Sequence, residues 1–181
     1  ELKSMGLIDR GRRLVPCPLT PSIRGCPMAN SIRYRRRFYE ENLAQMSDDT
    51  LRFVLLHEEG HIRKGSSGAS IYLVLPIFPY LILLHKPFPE TEGLPFIGMI
   101  LIVFLVLTAL LGHWAYYSLM YGEEFAADQY AAEIMRRCYG ISEPEMILND
   151  FLISLQAEER WAYKVDYKPS IVERTEKIRK I

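Results

Sequence analysis

The sequence predicts a predominantly helical α+β fold interrupted by a two-helix transmembrane hairpin. Three observations carry that expectation. Within residues 69–121 only Lys86, Glu90 and Glu92 are charged, against 24% of the whole chain, so a membrane-like insert divides a polar protein. On both sides of the insert, apolar residues recur at helical spacing with capping residues at the ends. One stretch ahead of them alternates as a strand does. The 181 residues suit one domain or two small ones. Lys+Arg and Asp+Glu are 22 each, a balance that argues against a nucleic-acid binder. Cys17, Cys26 and Cys138 form no close pair, as expected of reduced cytosolic thiols. The chain opens on Glu1, which fits a processed or trimmed segment, and no secretory pattern precedes Thr20.

Residues 1–46 are basic, and Pro16, Pro18, Pro21 and Pro27 indicate irregular loop in the first part. Residues 31–39 (SIRYRRRFY) set Ile32, Tyr34, Phe38 and Tyr39 among four arginines. Their partial alternation predicts a strand with a solvated basic face. Ser47 then caps a helix over 48–64. Asp48 and Asp49 suit its first turn, Leu51, Val54, Leu55 and Ile62 repeat at helical spacing, and Gly65 stops it after Arg63 and Lys64.

Residues 69–84 contain Pro76 and Pro79 but no charge. As a helix they cover about 24 Å, and the flanking 66–68 with His85 and Lys86 bring the segment toward the ~30 Å hydrocarbon thickness. Residues 94–111 are also uncharged and continue through Trp114, Tyr116, Tyr117 and Tyr121, a candidate interfacial belt. Twelve Lys/Arg precede the pair and nine follow it, so both flanks are expected in the cytoplasm and the link 86–93 outside. After Gly122, residues 123–139 form an amphipathic helix ended by Gly140. Ser142-Glu143-Pro144-Glu145 opens another, to about Arg160, and Pro169-Ser170 precedes a last helix over 171–181. The expected organisation is 1–66, 67–121 (the hairpin) and 122–181.

The helix at 48–64 contains His57-Glu58-Glu59-Gly60-His61, an H-E-x-x-H match that chance would supply fewer than about 0.01 times. His57 and His61 lie one turn apart and project from one face. They can offer two nitrogens to one zinc ion, with Glu58 beside them as general base toward a metal-activated water. Glu59 is charged where such motifs usually are not; it is expected either to point to solvent or to perturb the site. A catalytic zinc needs a third protein ligand and an open fourth position. Glu124 can supply the ligand, and Asp128, on the same helical face, can accept the second N–H of a ligand histidine. Glu123 is the runner-up. Ala126 and Ala127 between them would allow two helices to approach closely. Two membrane crossings are needed to return Glu124 to the side of His57 and His61. The charges on the metal helix keep it out of lipid. His113, in the second apolar segment, is expected at the interface.

The order HExxH, membrane hairpin, then E-F-A-A-D resembles the HtpX-type heat-shock proteases and type I CAAX prenyl endopeptidases, integral-membrane gluzincins. Tyr167-Lys168-Pro169-Ser170-Ile171-Val172-Glu173-Arg174 resembles that family's T-H-P-S-x-x-x-R motif, with Lys168 where His is usual. Ala29-Asn30-Ser31 resembles its edge strand. The resemblance covers about residues 25–181. It implies a zincin-like metallopeptidase domain, one zinc held by His57, His61 and Glu124, Glu58 as base, Asp128 behind a ligand histidine, and Arg174 near the site. The expected function is a membrane-anchored zinc endopeptidase acting in the cytoplasm on membrane or unfolded proteins, with substrate and lipid bilayer as partners. Glu59 and Lys168 motivate the alternative, a catalytically inactive membrane adaptor that keeps the metal helix as a structural element.

Overall fold

Three four-residue strands precede the helices: β1 (Arg13–Pro16), β2 (Ile23–Cys26) and β3 (Ser31–Tyr34). They form one sheet in the order β1-β3-β2, with β1 parallel and β2 antiparallel to β3. The computed structural model describes residues 1–64, 72, 74, 76, 77, 80, 81, 94–157 and 169–180. Two expectations are corrected. The region read as irregular loop supplies β1 and β2, and its prolines sit where a sheet tolerates them. Pro16 closes an outer strand and Pro27 opens a 3-10 turn, Pro27–Ala29. The strand expected over 31–39 stops at Tyr34. The chain then turns into the short helix α1 (Arg36–Phe38) and a π-helical turn, Tyr39–Leu43, which bury Phe38 and Leu43 with Val54 and Leu155. Burying Phe38 overrides the weak alternation. Ser31–Tyr34 is also the central strand, so the sheet edges are β1 and β2.

Helix α2 (Asp48–Lys64) has the expected bounds, and Ser47 Oγ accepts the Thr50 N–H at 3.2 Å. It packs on β2 at Gly25, where a Cβ would collide with the Glu58 carbonyl and lie 2.9 Å from Ile62 Cγ1. Only glycine allows that approach. Helix α3 runs unbroken from Leu94 to Tyr139, which corrects the expectation of separate helices on either side of Gly122. A glycine inside a helix costs about 1 kcal/mol, too little to end one. Termination comes at Gly140, whose φ of +67° is left-handed, and where the Ile141 N–H returns to the Met135 carbonyl. Helix α4 (Pro144–Ala157) begins on its proline, and α5 (Ile171–Arg179) follows Ser170. The chain beyond Ala157 that was expected to reach Arg160 lies outside the described residues, as does Ile181.

The chain divides into two compact units, Glu1–Ser66 with Tyr121–Ile181, and Ser67–Met120. The core of the first joins Ile32 of β3, Phe53 and Leu56 of α2, Ala131 and Met135 of α3, Leu148 of α4 and Ile178 of α5, with Leu2, Leu7 and Ile8 from the N-terminal segment. In the second, α3 exposes Ile102, Val103, Phe104, Val106, Leu107, Leu110, Leu111 and Trp114 by half or more. Among the described residues α3 is the one helix long and apolar enough to cross a membrane. The expected first span, 69–84, lies almost wholly outside the described residues, as do His85 and the link 86–93.

Candidate metal centre

The middle of α2 is buried on every side. His57, Glu58, Glu59 and Gly60 are all buried, and Glu59 is 0% exposed. Consecutive polar side chains removed from water each need a partner, and each lies beside one. His57 Nδ1 lies 2.8 Å from Asp128 Oδ1. Glu58 Oε2 accepts the Gly25 N–H from β2. Glu59 accepts from Arg12 through both oxygens, at 2.7 and 3.0 Å, and from Arg63 Nε at 3.0 Å. Glu59 therefore does not point to solvent, which corrects that expectation for it. It ties the N-terminal segment to α2.

His57 Nε2 and His61 Nε2 face each other at 3.1 Å, and the Glu124 carboxylate stands 3.6 Å from each. Ligand atoms of these three residues all lie within 4.8 Å of one another. Donors placed tetrahedrally about one ion at 2.0–2.2 Å stand about 3.3–3.6 Å apart, so the spacing fits zinc. The charges fit as well. The buried Glu124 and Asp128 carboxylates share the single guanidinium of Arg174. A cation held at the triad would add compensating positive charge to this buried cluster. Glu123 is half-buried and stands outside the triad.

Asp128 is the hub behind the ligands. Arg174 Nε and Nη2 donate to its two oxygens at 2.7 Å each, and Arg174 Nη1 lies 3.4 Å from Glu124 Oε2. Burial alone would push the Asp128 pKa up; the hydrogen bonds from Arg174 and the neighbouring His57 outweigh it and hold the carboxyl below its ordinary value. With a proton on His57 Nδ1 toward Asp128, the Nε2 lone pair is left for a metal. Arg174 is delivered by a capping box. Ser170 Oγ accepts the Glu173 N–H at 3.2 Å, and the Ser170 N–H donates to Glu173 Oε2 at 2.8 Å. The two ligand-bearing helices meet where side chains are smallest, and a Cβ on Gly60 would sit 3.0 Å from Ala127 Cα. Beside His57, Glu58 and Arg174 opens a cavity of about 40 Å³, walled by Ile23, Phe38, Phe53, Val54, Leu148 and Leu155.

The structure thus brings His57, His61, Glu124, Asp128 and Arg174 into one connected cluster, with Glu58 on the shared cavity wall. Lys168 lies outside the described residues. His113 is exposed, stacks edge-on against Tyr117 at 4.3 Å and is not one of the three candidate ligands. Sequence reasoning missed Gly25 and Arg12. A glycine within a strand signals close backbone approach, but that signal needs the strand to be recognised first. Nothing local marks Arg12 as the partner of Glu59.

A family model, that of peptidase family M48, matches residues 37–181. The chain belongs to peptidase family M48. As an M48 member it is a metallopeptidase, a hydrolase from a family that is generally zinc-dependent. Helices α2 to α5 and all six candidate site residues lie inside the matched segment, whereas the three strands of this M48 protein precede it. No curated protein and no solved structure matches the chain.

Proposed function

We propose that this M48 protein is a membrane-anchored zinc endopeptidase of the HtpX or CAAX type, cleaving peptide bonds in membrane or unfolded proteins on the cytoplasmic side. The observation that carries the reading is the convergence of His57, His61 and Glu124 donors at metal-ligand spacing, with a buried glutamate next to His57. Anchoring is supported by the apolar side chains that α3 exposes. In this reading segment 67–121 is a two-crossing hairpin, and 1–66 and 122–181 build the catalytic domain.

His57, His61 and Glu124 would hold the zinc. Bound there, zinc would supply Lewis acidity and lower the pKa of a coordinated water toward about 7. Asp128 fixes the His57 ring, and Arg174 fixes Asp128 and sits beside the Glu124 charge. Glu58 takes a proton from the attacking water on its carboxylate and passes it to the departing amine nitrogen. The Gly25 N–H holds that carboxylate in place. Residues 22, 24 and 26 of the antiparallel pair direct their main-chain groups at β3, as the Arg35 N–H to Ser22 carbonyl bond at 2.8 Å shows. The Ile23 main chain and the Gly25 carbonyl therefore face the open edge, along which an extended substrate lies. The cavity beside Glu58 takes an apolar side chain flanking the scissile bond.

The test is Glu58→Gln in the full chain. The variant should retain one zinc and its thermal midpoint while hydrolysis of a fluorogenic unfolded protein falls by about 10²–10⁴-fold. Unchanged cleavage with zinc bound would end the assignment of Glu58 as base.

A further inference from the structure

The outer face of the N-terminal sheet is not used by the metal centre. The register sets Arg24 of β2 directly opposite Arg33 of β3. Such partners share a face with Cβ atoms about 4.5–5.5 Å apart, and like charges there are destabilising. Arg13, opposite Ser31 on β1, lies on that same face two residues along from Arg33. The opposite face carries Ile32, which is 2% exposed, and Gly25, which meets α2. Arg13, Arg24 and Arg33 are all exposed. No acidic residue occurs from 10 to 39, whereas eight arginines do. Among the described residues, no carboxylate forms an ion pair with Arg13, Arg24 or Arg33.

We propose that this arginine face of the sheet docks on an anionic lipid surface. Charge alone would equally suit an acidic protein. What favours lipid is the apolar residue held out in each loop flanking β2. Leu19, between β1 and β2, is 92% exposed, and Met28, between β2 and β3, is 101% exposed. Guanidinium groups for headgroups beside apolar side chains for the acyl boundary are the two components of interfacial binding. A repulsive Arg24–Arg33 pair is relieved when headgroup phosphates lie over it. The docked face puts β2, whose Gly25 N–H holds the Glu58 carboxylate, at the lipid boundary.

The test uses the full chain reconstituted in nanodiscs, with an environment-sensitive fluorophore on Met28→Cys after the three native cysteines are changed to serine. Emission should rise and shift to the blue with a phosphatidylcholine–phosphatidylglycerol mixture, stay low with phosphatidylcholine alone, and fall again in high salt. Arg24→Glu with Arg33→Glu should lower the docked-to-free ratio by at least about 25-fold, at roughly fivefold per arginine lost. Arg24→Gln with Arg33→Gln should also weaken docking while leaving the thermal midpoint unchanged or higher, which separates docking from folding. Equal emission in both lipids, or emission insensitive to these substitutions, would overturn the proposal. So would a larger response to soluble polyglutamate than to anionic lipid, which would assign the face to an acidic protein. Neither zinc nor peptide hydrolysis enters the readout, so the outcome is independent of the peptidase assignment.

Discussion

Arg12 and Glu59, 47 positions apart, form a two-point ion pair in the protein interior, at 6% and 0% exposure. The charged residue inside the HExxH sequence is thereby turned to structural use on the face away from the metal ligands. Removing one partner of a buried pair strands the other, at about 3–5 kcal/mol. Glu59→Gln should lower the unfolding free energy by that amount in denaturant titrations, without changing zinc stoichiometry. Arg12→Met combined with Glu59→Leu should recover most of the loss, because neither charge is then left buried alone.

Asp128 and Arg174 should act on the metal without touching it. Asp128→Asn, or Arg174→Lys with its loss of the two-point contact, should weaken zinc binding by about 10–100-fold in competition against a chelator. Full affinity in either variant would show that His57 is oriented by other means.

Acid should unmask the same carboxylate. The folded-state pKa of Asp128 is depressed, so its ionised form stabilises the fold fully above the ordinary carboxylate value of about 3.9. That contribution is lost as pH falls through the lower folded-state value. Denaturation of the metal-free protein and its Asp128→Asn variant should therefore differ most near neutrality, with the gap narrowing below about pH 4.

Two glycines on neighbouring helices should respond in opposite directions. Gly60→Val drives side-chain atoms into Ala127 and Tyr130, which should cost about 1–3 kcal/mol and lower zinc affinity by parting His57 and His61 from Glu124. Gly122 has nothing within 4 Å of its Cβ position, and Gly122→Ala should stabilise α3 by about 0.5–1 kcal/mol. Thermal melts and zinc titrations of the two variants check both.

Local signals carried far in this chain and tertiary ones did not. The bounds of α2 were legible because Ser47, the first-turn aspartates and the apolar spacing agree, and the shared face of His57 and His61 follows from helical geometry. β1 and β2 were not legible. Each has four residues, too few for a period to emerge, and prolines flank them. The continuity of α3 is hidden in the sequence because Gly122 resembles punctuation, although a helix end needs a residue that reverses the backbone, as Gly140 does. The meeting of Glu59 with Arg12, and of Glu58 with Gly25, depends on which strand lies against α2, and no spacing along the chain encodes that.

The Ser170–Glu173 box has a directional consequence. An α-helix advances about 100° per residue, so the residue at which α5 begins sets the compass bearing of every side chain it carries. Starting one position earlier or later would swing the Arg174 guanidinium a quarter-turn or more off Asp128, and the imidazole behind it would lose its anchor. A serine hydroxyl at the rim of the protein thus sets the aim of a nitrogen lone pair at its centre.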